Sequence, residues 1–508
     1  MNSIDFDSHL DLISSNRTRS SGNQQTSGHS LETTPIFSAK AWRNVTADGS
    51  AALEGLQHGL LGLRLQTYEG SEQADSDGLE DIDNLVYANI TSPWSAFICG
   101  SQGSGKSHTL SCLLENAIIS GSKAGNLANP LAAIVFHYDK FTGYLSSQLC
   151  EAAYLCSADI PVRILVSPSN FSAMDAAYRK MPGPKPKIVP MYFQQKDLNI
   201  SMMKTLMAVG GGDGSTPLYM EVVMKILREM AKEATGQAGI NYASFKCRLN
   251  SENFMKGQNA PLKMRLQLLE SFLDLPGLRP AKETDSDLWN FKSGTLTIVD
   301  LSCPFVAEND ACALFNICLS LFLERRHQGG RLVALDEAHK FLTTNSREAT
   351  EFTDTLLAVI RQQRHLATRV VIATQEPTLS PSLLDLSNVT IVHRFTSPAW
   401  YKILEGHLAA ALIGKRKESR KKQEEDSGYQ RLDLFEQIVH LGTGEALVFC
   451  PTALLDVVPS DVADANGIRD TETYDVVQEV VQELGARHIK MKIRNRLTAD
   501  GGRSILSV

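Results

Sequence analysis

Cysteine is sparse and unpatterned in this chain: its 508 residues hold nine, with no CxxC pair and no Cys/His cluster at zinc-ligand spacing. A zinc module is thereby excluded as an organising feature. Cys99, Cys312 and Cys318 sit in apolar runs, where a reduced cysteine behaves as a small hydrophobe. That usage suits a reducing intracellular compartment, cytoplasmic or nuclear. Positive charge is in deficit, with 50 Lys and Arg against 57 Asp and Glu and a net charge of −7. No global field draws in nucleic acid, so any such contact must be local. Long apolar runs are missing too. The most apolar stretch, Ala311 to Leu323, is too short to span a bilayer and ends in Glu-Arg-Arg. It reads as a buried core helix. The first residues, MNSIDFDSHLDL, lack the basic and apolar regions of a signal peptide. A soluble protein with no membrane partner is expected, and internal repeats are absent.

What is present is ordinary in bulk: 43% hydrophobic and 21% charged residues, enough for a sizeable core. The length suits several average domains or one large α/β domain with insertions. Residues 1–35 are rich in Ser, Thr, Asn, Gln and Gly and read as a disordered tail. Residues 36–84 read as a short N-terminal segment, with a short helix through Ala51 to Leu61, followed by an acidic linker. From Glu69 to Asp83 that linker carries seven acidic residues and no basic one; a functional acidic lid is the alternative.

The core is expected over residues 85–460, where apolar, β-branched runs alternate with helical ones. About nine such runs, from Ala96–Cys99 to Ala446–Phe449, imply strands buried on both faces and hence a largely parallel sheet covered by helices. That is a RecA-like α/β core. The interval of about 200–290 breaks the rhythm and reads as a helical insertion, with a separate regulatory module as the alternative. Residues 461–508 read as a C-terminal helical tail. It holds an amphipathic helix over Thr471 to His488 and the basic stretch KMKIRNR, Lys490 to Arg496. Sequence alone leaves open whether that helix docks on the core or on a neighbour.

The whole is organised around GSQGSGKS, residues Gly100, Ser101, Gln102, Gly103, Ser104, Gly105, Lys106 and Ser107, followed by His108. An apolar run precedes it and a helical run follows, the context of a P-loop. Glycines let the backbone curl so that its N–H groups point at phosphate oxygens, and the helix start adds partial positive charge. Lys106 can reach the β- and γ-phosphates, and Ser107 can hold Mg²⁺. A Gly-rich turn before a helix is the bland alternative.

A second constellation follows about 230 residues after Lys106. In RLVALDEAHK, Asp336 and Glu337 end an apolar strand: Asp336 can bind Mg²⁺ through water, and Glu337 can polarise the attacking water as general base. In RQQRHLATRVVIATQEP, Gln375 ends the next strand, where a polar residue can sense the γ-phosphate; an ordinary strand-terminal Gln is the alternative. Arg361 and Arg364 lie one helical turn apart. Either can act as an arginine finger in a neighbouring subunit, or both belong to a solvated helix face. In VTIVHRFTSPAW, His393 reads as a packed polar side chain and Arg394 as a further finger or sensor candidate.

Together these pieces resemble the HerA/FtsK superfamily of P-loop motor ATPases, HerA-like proteins in particular, over roughly Trp94 to Pro451. The resemblance rests on GSQGSGKS, LTIVDLS, LDEAHKFL, RQQRHLATRVVIATQEPTLSPSLLD, TIVHRFTSP and LGTGEALVFCP, in matching order and spacing. The segment SAFICGSQGSGKSHTLSCLLEN also resembles a group of functionally uncharacterised P-loop proteins from filamentous fungi. The resemblance implies ATP as substrate at subunit interfaces, a homo-oligomer that is usually a hexamer, an arginine supplied in trans, and translocation of double-stranded DNA.

Two features depart from that pattern. The superfamily's HerA members begin with a β-barrel, whereas only about 50 weakly patterned residues lie between the tail and the core. No strongly basic segment lies between the two ATPase motifs. The one basic cluster, KRKESRKK at Lys415 to Lys422, opens an expected helix to about His440. It reads as a solvated face, a phosphate contact or a nuclear localisation signal. An ATP-dependent switch acting on protein partners is the runner-up reading. A DEAH-box helicase, suggested by Asp336 to His339, fails on spacing and on the lack of a second RecA-like domain.

Overall fold

The computed structural model describes residues 31–47, 55–69, 72–74, 82–140, 148–208, 219–233, 240–252, 254, 256–274, 288–325, 329–343, 346–377, 379–408, 433–459 and 479–499. Among them, 17 strands join in one sheet. β1 (Ile36–Ser38), β2 (His58–Glu69), β3 (Glu72–Ala74) and β4 (Leu85–Asn89) precede the P-loop strand β5 (Ser95–Cys99). Then come β6 (Gly125–Asn126), β7 (Ala132–His137), β8 (Val162–Val166), β9 (Lys187–Pro190) and β10 (Leu296–Asp300). The strand bearing the carboxylates is β11 (Arg331–Leu335), followed by β12 (Thr368–Thr374), β13 (Val389–Val392) and β14 (Glu445–Phe449). β15 (Leu454–Pro459), β16 (Glu479–Glu483) and β17 (His488–Ile493) complete the set.

The pairing divides the sheet in two. β9, β8, β10, β7, β11, β12, β5 and β13 run side by side and all parallel. β13 then pairs with β14, β14 with β17, β17 with β2 and β2 with β4, each antiparallel. All nine sequence-expected strands lie in this sheet, eight of them in the parallel half and β14 at the turn to antiparallel. The sheet is therefore mixed, and it extends well past the expected nine strands.

Near-continuous apolar strands need both faces covered, and they are. In β7, Ala132, Ile134 and Phe136 enter one hydrophobic core while Ala133 and Val135 enter the other. The first core takes Glu308–Glu324, the expected buried apolar helix, and Arg347–Arg361. It also takes residues from four helices between β9 and β10: Ile200–Ala208, Tyr219–Glu233, Tyr242–Ser251 and Lys256–Ser271. The second core covers the opposite face with the P-loop helix, Lys106–Ile118.

Three expectations about the flanks are corrected. The expected helix over Thr471 to His488 is not continued in its described part: residues 479–483 and 488–493 are strands, so the described C-terminal residues are not a helical tail. The repeated valines fit a helical spacing, but their β-branched side chains suit a pleated surface. Val480 and Val481 pair with Val458 and Val457, and Gly485, at φ 62°, turns the chain into β17. The N-terminal helix is Ala39–Ala47, and His58 to Leu61 belong to β2. Leu31 is buried rather than part of a tail. Residues 1–30, most of the acidic linker, the KRKESRKK cluster and residues 461–478 lie outside the described residues.

Candidate active site

In parallel α/β sheets ligands collect beyond the carboxyl ends of the strands. Here the register brings those ends level. Cys99 of β5 lies beside Thr374 of β12 and Val392 of β13, and His137 of β7 lies beside Asp300 of β10. The residues just past the strands, Gly100, Gln375, His393 and Asp336, therefore share one edge. β12 separates the P-loop strand from the carboxylate strand, which places Gln375 between the two motifs.

The loop curls as a phosphate cradle. Gly100 and Gly105 have φ of 153° and 114°, a region that disfavours side chains. A Cβ on Gly100 would also lie 2.7 Å from the His393 Cβ. Ser101 donates from both N and Oγ to the Arg394 carbonyl, each at 2.9 Å, and Ser104 Oγ donates to the Ser101 carbonyl at 2.7 Å. Gln102 and Gly103 form the exposed tip. Lys106 is buried, and its Nζ donates to the Ser101 carbonyl at 3.0 Å. Burial pulls its pKa below the ordinary lysine value, with Glu337 and then Asp336 opposing. The ammonium thus lies across the loop and within the field of both carboxylates.

His393 fastens the loop from behind. It is fully buried; Thr109 Oγ1 lies 2.9 Å from Nε2, and Nδ1 lies 2.9 Å from the Glu445 carbonyl. A carbonyl only accepts, so Nδ1 carries the proton and Nε2 accepts from Thr109. Burial holds the ring neutral, with its pKa down at about 4. His393 is a packing residue, as the sequence suggested.

Glu337 is held in the left-handed region at φ 52°, ψ 45°, a conformation that concentrates at functional sites. Gln375 Nε2 donates to Glu337 Oε1 at 3.0 Å. Oε2 is buried with no hydrogen-bond partner among the described residues. His339, whose pKa burial lowers, accepts from the Gln375 N–H and sits 3.4 Å from that free oxygen. Asp336 likewise keeps Oδ1 buried and without a hydrogen-bond partner among the described residues, while Oδ2 faces His137 Nδ1 at 3.4 Å and Cys150 Sγ at 3.9 Å. A carboxylate oxygen left bare at such an edge suits a metal-bound water, so the donor set fits Mg²⁺ with Ser107 as its partner. His137, Cys150 and Asp336 offer ligand atoms within 4.8 Å of one another.

Sequence reasoning missed this supporting layer. Burial opposes charge on His137, but Asp300 and Asp336 outweigh it and hold the pKa up to about 9. Asp300 accepts from Tyr178 Oη at 2.6 Å and from the Ser302 N–H at 3.0 Å. The available signal was a polar residue ending each buried run, His137 in AAIVFH and Asp300 in LTIVD.

A strap from the C-terminal region was missed as well. Past β17, residues 494–498 cross the P-loop helix. Glu115, with no exposed surface, meets Arg494 Nη1 at 2.8 Å, the Thr498 hydroxyl at 2.6 Å and two backbone N–H groups. His108 Nε2 lies 2.8 Å from the Arg494 carbonyl, so its ring serves the strap. Burial pushes the Glu115 pKa up, but the bonds from Thr498, Leu497 and Arg494 outweigh it and the pKa is lowered. Stability from this clamp is full above the ordinary glutamate range and is lost as pH falls through the lower folded value. Glu115→Ala leaves Arg494 buried without its carboxylate and is expected to cost about 3–5 kcal/mol in chemical denaturation at neutral pH. The deficit should shrink towards acid pH.

Arg361 and Arg364 are not brought to the phosphate edge of their own chain. Both are exposed and precede β12. Gln363 between them binds Asn388, which caps Ser95 at the start of β5. The length of β12, roughly 20 Å at about 3.3 Å per residue, separates them from Gln375. Arg394 is exposed beside the P-loop.

The strand order and the curled glycine loop define a P-loop NTPase fold built on a mixed sheet. No protein-family model and no curated protein sequence matches the chain. Among solved structures it is similar to VirB4 of Thermoanaerobacter pseudethanolicus, with 14% identity and a TM-score of 0.41 over 77% of this chain and 94% of that one. It is also similar to the genome packaging NTPase B204 from Sulfolobus turreted icosahedral virus 2 in complex with ATP-gammaS (8% identity, TM-score 0.27, 70% of this chain and 92% of that one). A third is B204, the DNA-packaging ATPase from Sulfolobus turreted icosahedral virus, at 12% identity and a TM-score of 0.27, over 70% and 92%. The class rests on this chain's own strand order and loop geometry. No helix among the described residues is long and apolar enough to cross a membrane.

Proposed function

We propose that the protein is a ring-forming, ATP-driven motor that works on double-stranded DNA. The observation that carries its hydrolytic part is the hydrogen bond from Gln375 to Glu337 at the P-loop edge. It holds one oxygen of the carboxylate and leaves the other to take a proton from water. Lys106 exchanges its bond to the Ser101 carbonyl for the β- and γ-phosphates, while the loop N–H groups hold the phosphate chain. Ser107 and Asp336 are the residues that would hold Mg²⁺, which neutralises phosphate charge. Gln375 ties the state of the γ-phosphate to β12, and so to the helix carrying Arg361.

Assembly into a ring, hexameric by the superfamily resemblance, gives the exposed arginines a site to serve. Arg361 and Arg364 lie far from their own P-loop, so a role at phosphate is open to them only across a subunit boundary. Mixtures of Arg361→Ala or Arg364→Ala subunits with Lys106→Ala subunits should recover part of the ATPase activity that neither possesses alone. If rings form and no mixture recovers, the shared site is rejected.

The DNA step is tested by ATPase rate against added duplex, with Glu337→Gln as blank. Severalfold stimulation that fades between low and moderate salt is expected, because phosphate contacts release counterions. Hydrolysis indifferent to duplex at every salt concentration would instead assign the ATPase to a protein partner.

A further inference from the structure

The sheet carries a second polar site at its opposite edge. A cavity of about 580 Å³ opens at the amino ends of β8, β9 and β10, bordered by Val162, Lys187 and Leu296. Its walls bring together Arg163, Lys185, Lys187 and Lys292 against one carboxylate, Asp159. Such a concentration of positive charge is notable in a chain of net charge −7, because it creates a local field opposite to that of the whole. β10 runs about 17 Å from this edge to the phosphate edge at about 3.3 Å per residue, so the cavity is separate from the P-loop.

The cations are placed by the fold. Arg163 lies between Thr297 and Lys187 in the register of β10, β8 and β9, so the three share one face. Arg163 Nη2 is fixed by the Asn290 carbonyl at 3.2 Å and Thr297 Oγ1 at 3.1 Å. Lys185 and Lys292 are exposed and form no ion pair among the described residues, and Lys185 Nζ donates to the Met181 carbonyl.

We propose that this cavity binds a small phosphorylated ligand of nucleotide size. Four cations supply the anion's counter-charge. The volume lies in the range of small-molecule sites. A duplex, stiff and far wider than such a cavity, cannot enter it. The proposal goes beyond the motor reading and does not depend on it.

The test uses the full chain carrying Lys106→Ala, which disables the P-loop, with fluorescently labelled ADP as probe at low salt. Saturable binding of one equivalent is expected to remain. Adding Lys185→Glu and Lys292→Glu, both at exposed positions, should weaken it at least tenfold while the thermal midpoint holds. In the chain with Lys106 intact, the same two reversals should leave basal ATPase unchanged. The proposal is overturned if the Lys106→Ala chain binds no ADP, or if its binding ignores the charge reversals. It is equally overturned if the reversals reduce only duplex binding, which would make the patch a nucleic-acid surface.

Discussion

Glu337→Gln is expected to bind ATP within about twofold of the unaltered chain and to turn it over roughly 10²–10⁴-fold more slowly. The two side chains are nearly isosteric, so the left-handed turn at φ 52° and the buried setting of residue 337 need not change. What changes is basicity. On the proposed mechanism the carboxylate oxygen left without a hydrogen bond among the described residues accepts the proton, and an amide cannot replace it. Gln375 can go on donating its NH₂ to the new amide's carbonyl oxygen, or turn its own amide so that its carbonyl accepts from the new NH₂, and either keeps the pair hydrogen-bonded. Single-turnover hydrolysis alongside equilibrium ATP binding separates the two effects. Normal turnover would remove the base assignment, and lost binding would show that residue 337 holds the loop together instead.

Lys106→Ala is expected to weaken ATP binding by on the order of 10²–10⁴-fold, from two charge-assisted hydrogen bonds of about 1.5–3 kcal/mol each. The ammonium is buried and close enough to Asp336 and Glu337 that both raise its pKa against burial. Its removal therefore takes away the phosphate contacts and leaves two buried carboxylates facing the incoming polyphosphate with less opposing charge. Both effects point the same way. Lys106→Arg should not rescue, because the planar guanidinium is larger than the ammonium that lies against the Ser101 carbonyl. Calorimetric titration with a non-hydrolysable ATP analogue reads the affinity directly. Retained micromolar affinity that also survives Lys185→Glu and Lys292→Glu would mean that the backbone cradle alone dominates binding at the P-loop.

Much of this site was legible because its chemistry is local. Gly100 to Ser107 must curl within one loop, and Asp336 and Glu337 must end one apolar strand. Residue type and order along the chain are enough to recognise both. Gln375 followed for the same reason, since a polar residue ending a buried strand beside the carboxylate strand has few places to go. The nine apolar runs were equally clear, because a strand buried on both faces cannot hide its composition.

The supporting partners depended on contacts across hundreds of residues. Asp300 and His137 looked like ordinary strand ends until the register of β10 against β7 set them together. In sequence Glu115 is one charge within a helical run, and only the fold brings Arg494 and Thr498 onto it. In HIKMKI the alternation of a strand was present, yet lysines at every second position read first as a basic stretch. The valines of residues 480–481 satisfy helical spacing as well as strand propensity. For such short segments the outcome is set by which neighbour offers hydrogen bonds, here β15 and β14. Sequence alone thus determined the curled glycine loop and the parallel half of the sheet, because glycine conformation and strand burial act over a few residues. The tertiary structure decided the buried polar layer, the strap and the mixed sheet, because burial and pairing between distant segments have no local sequence counterpart.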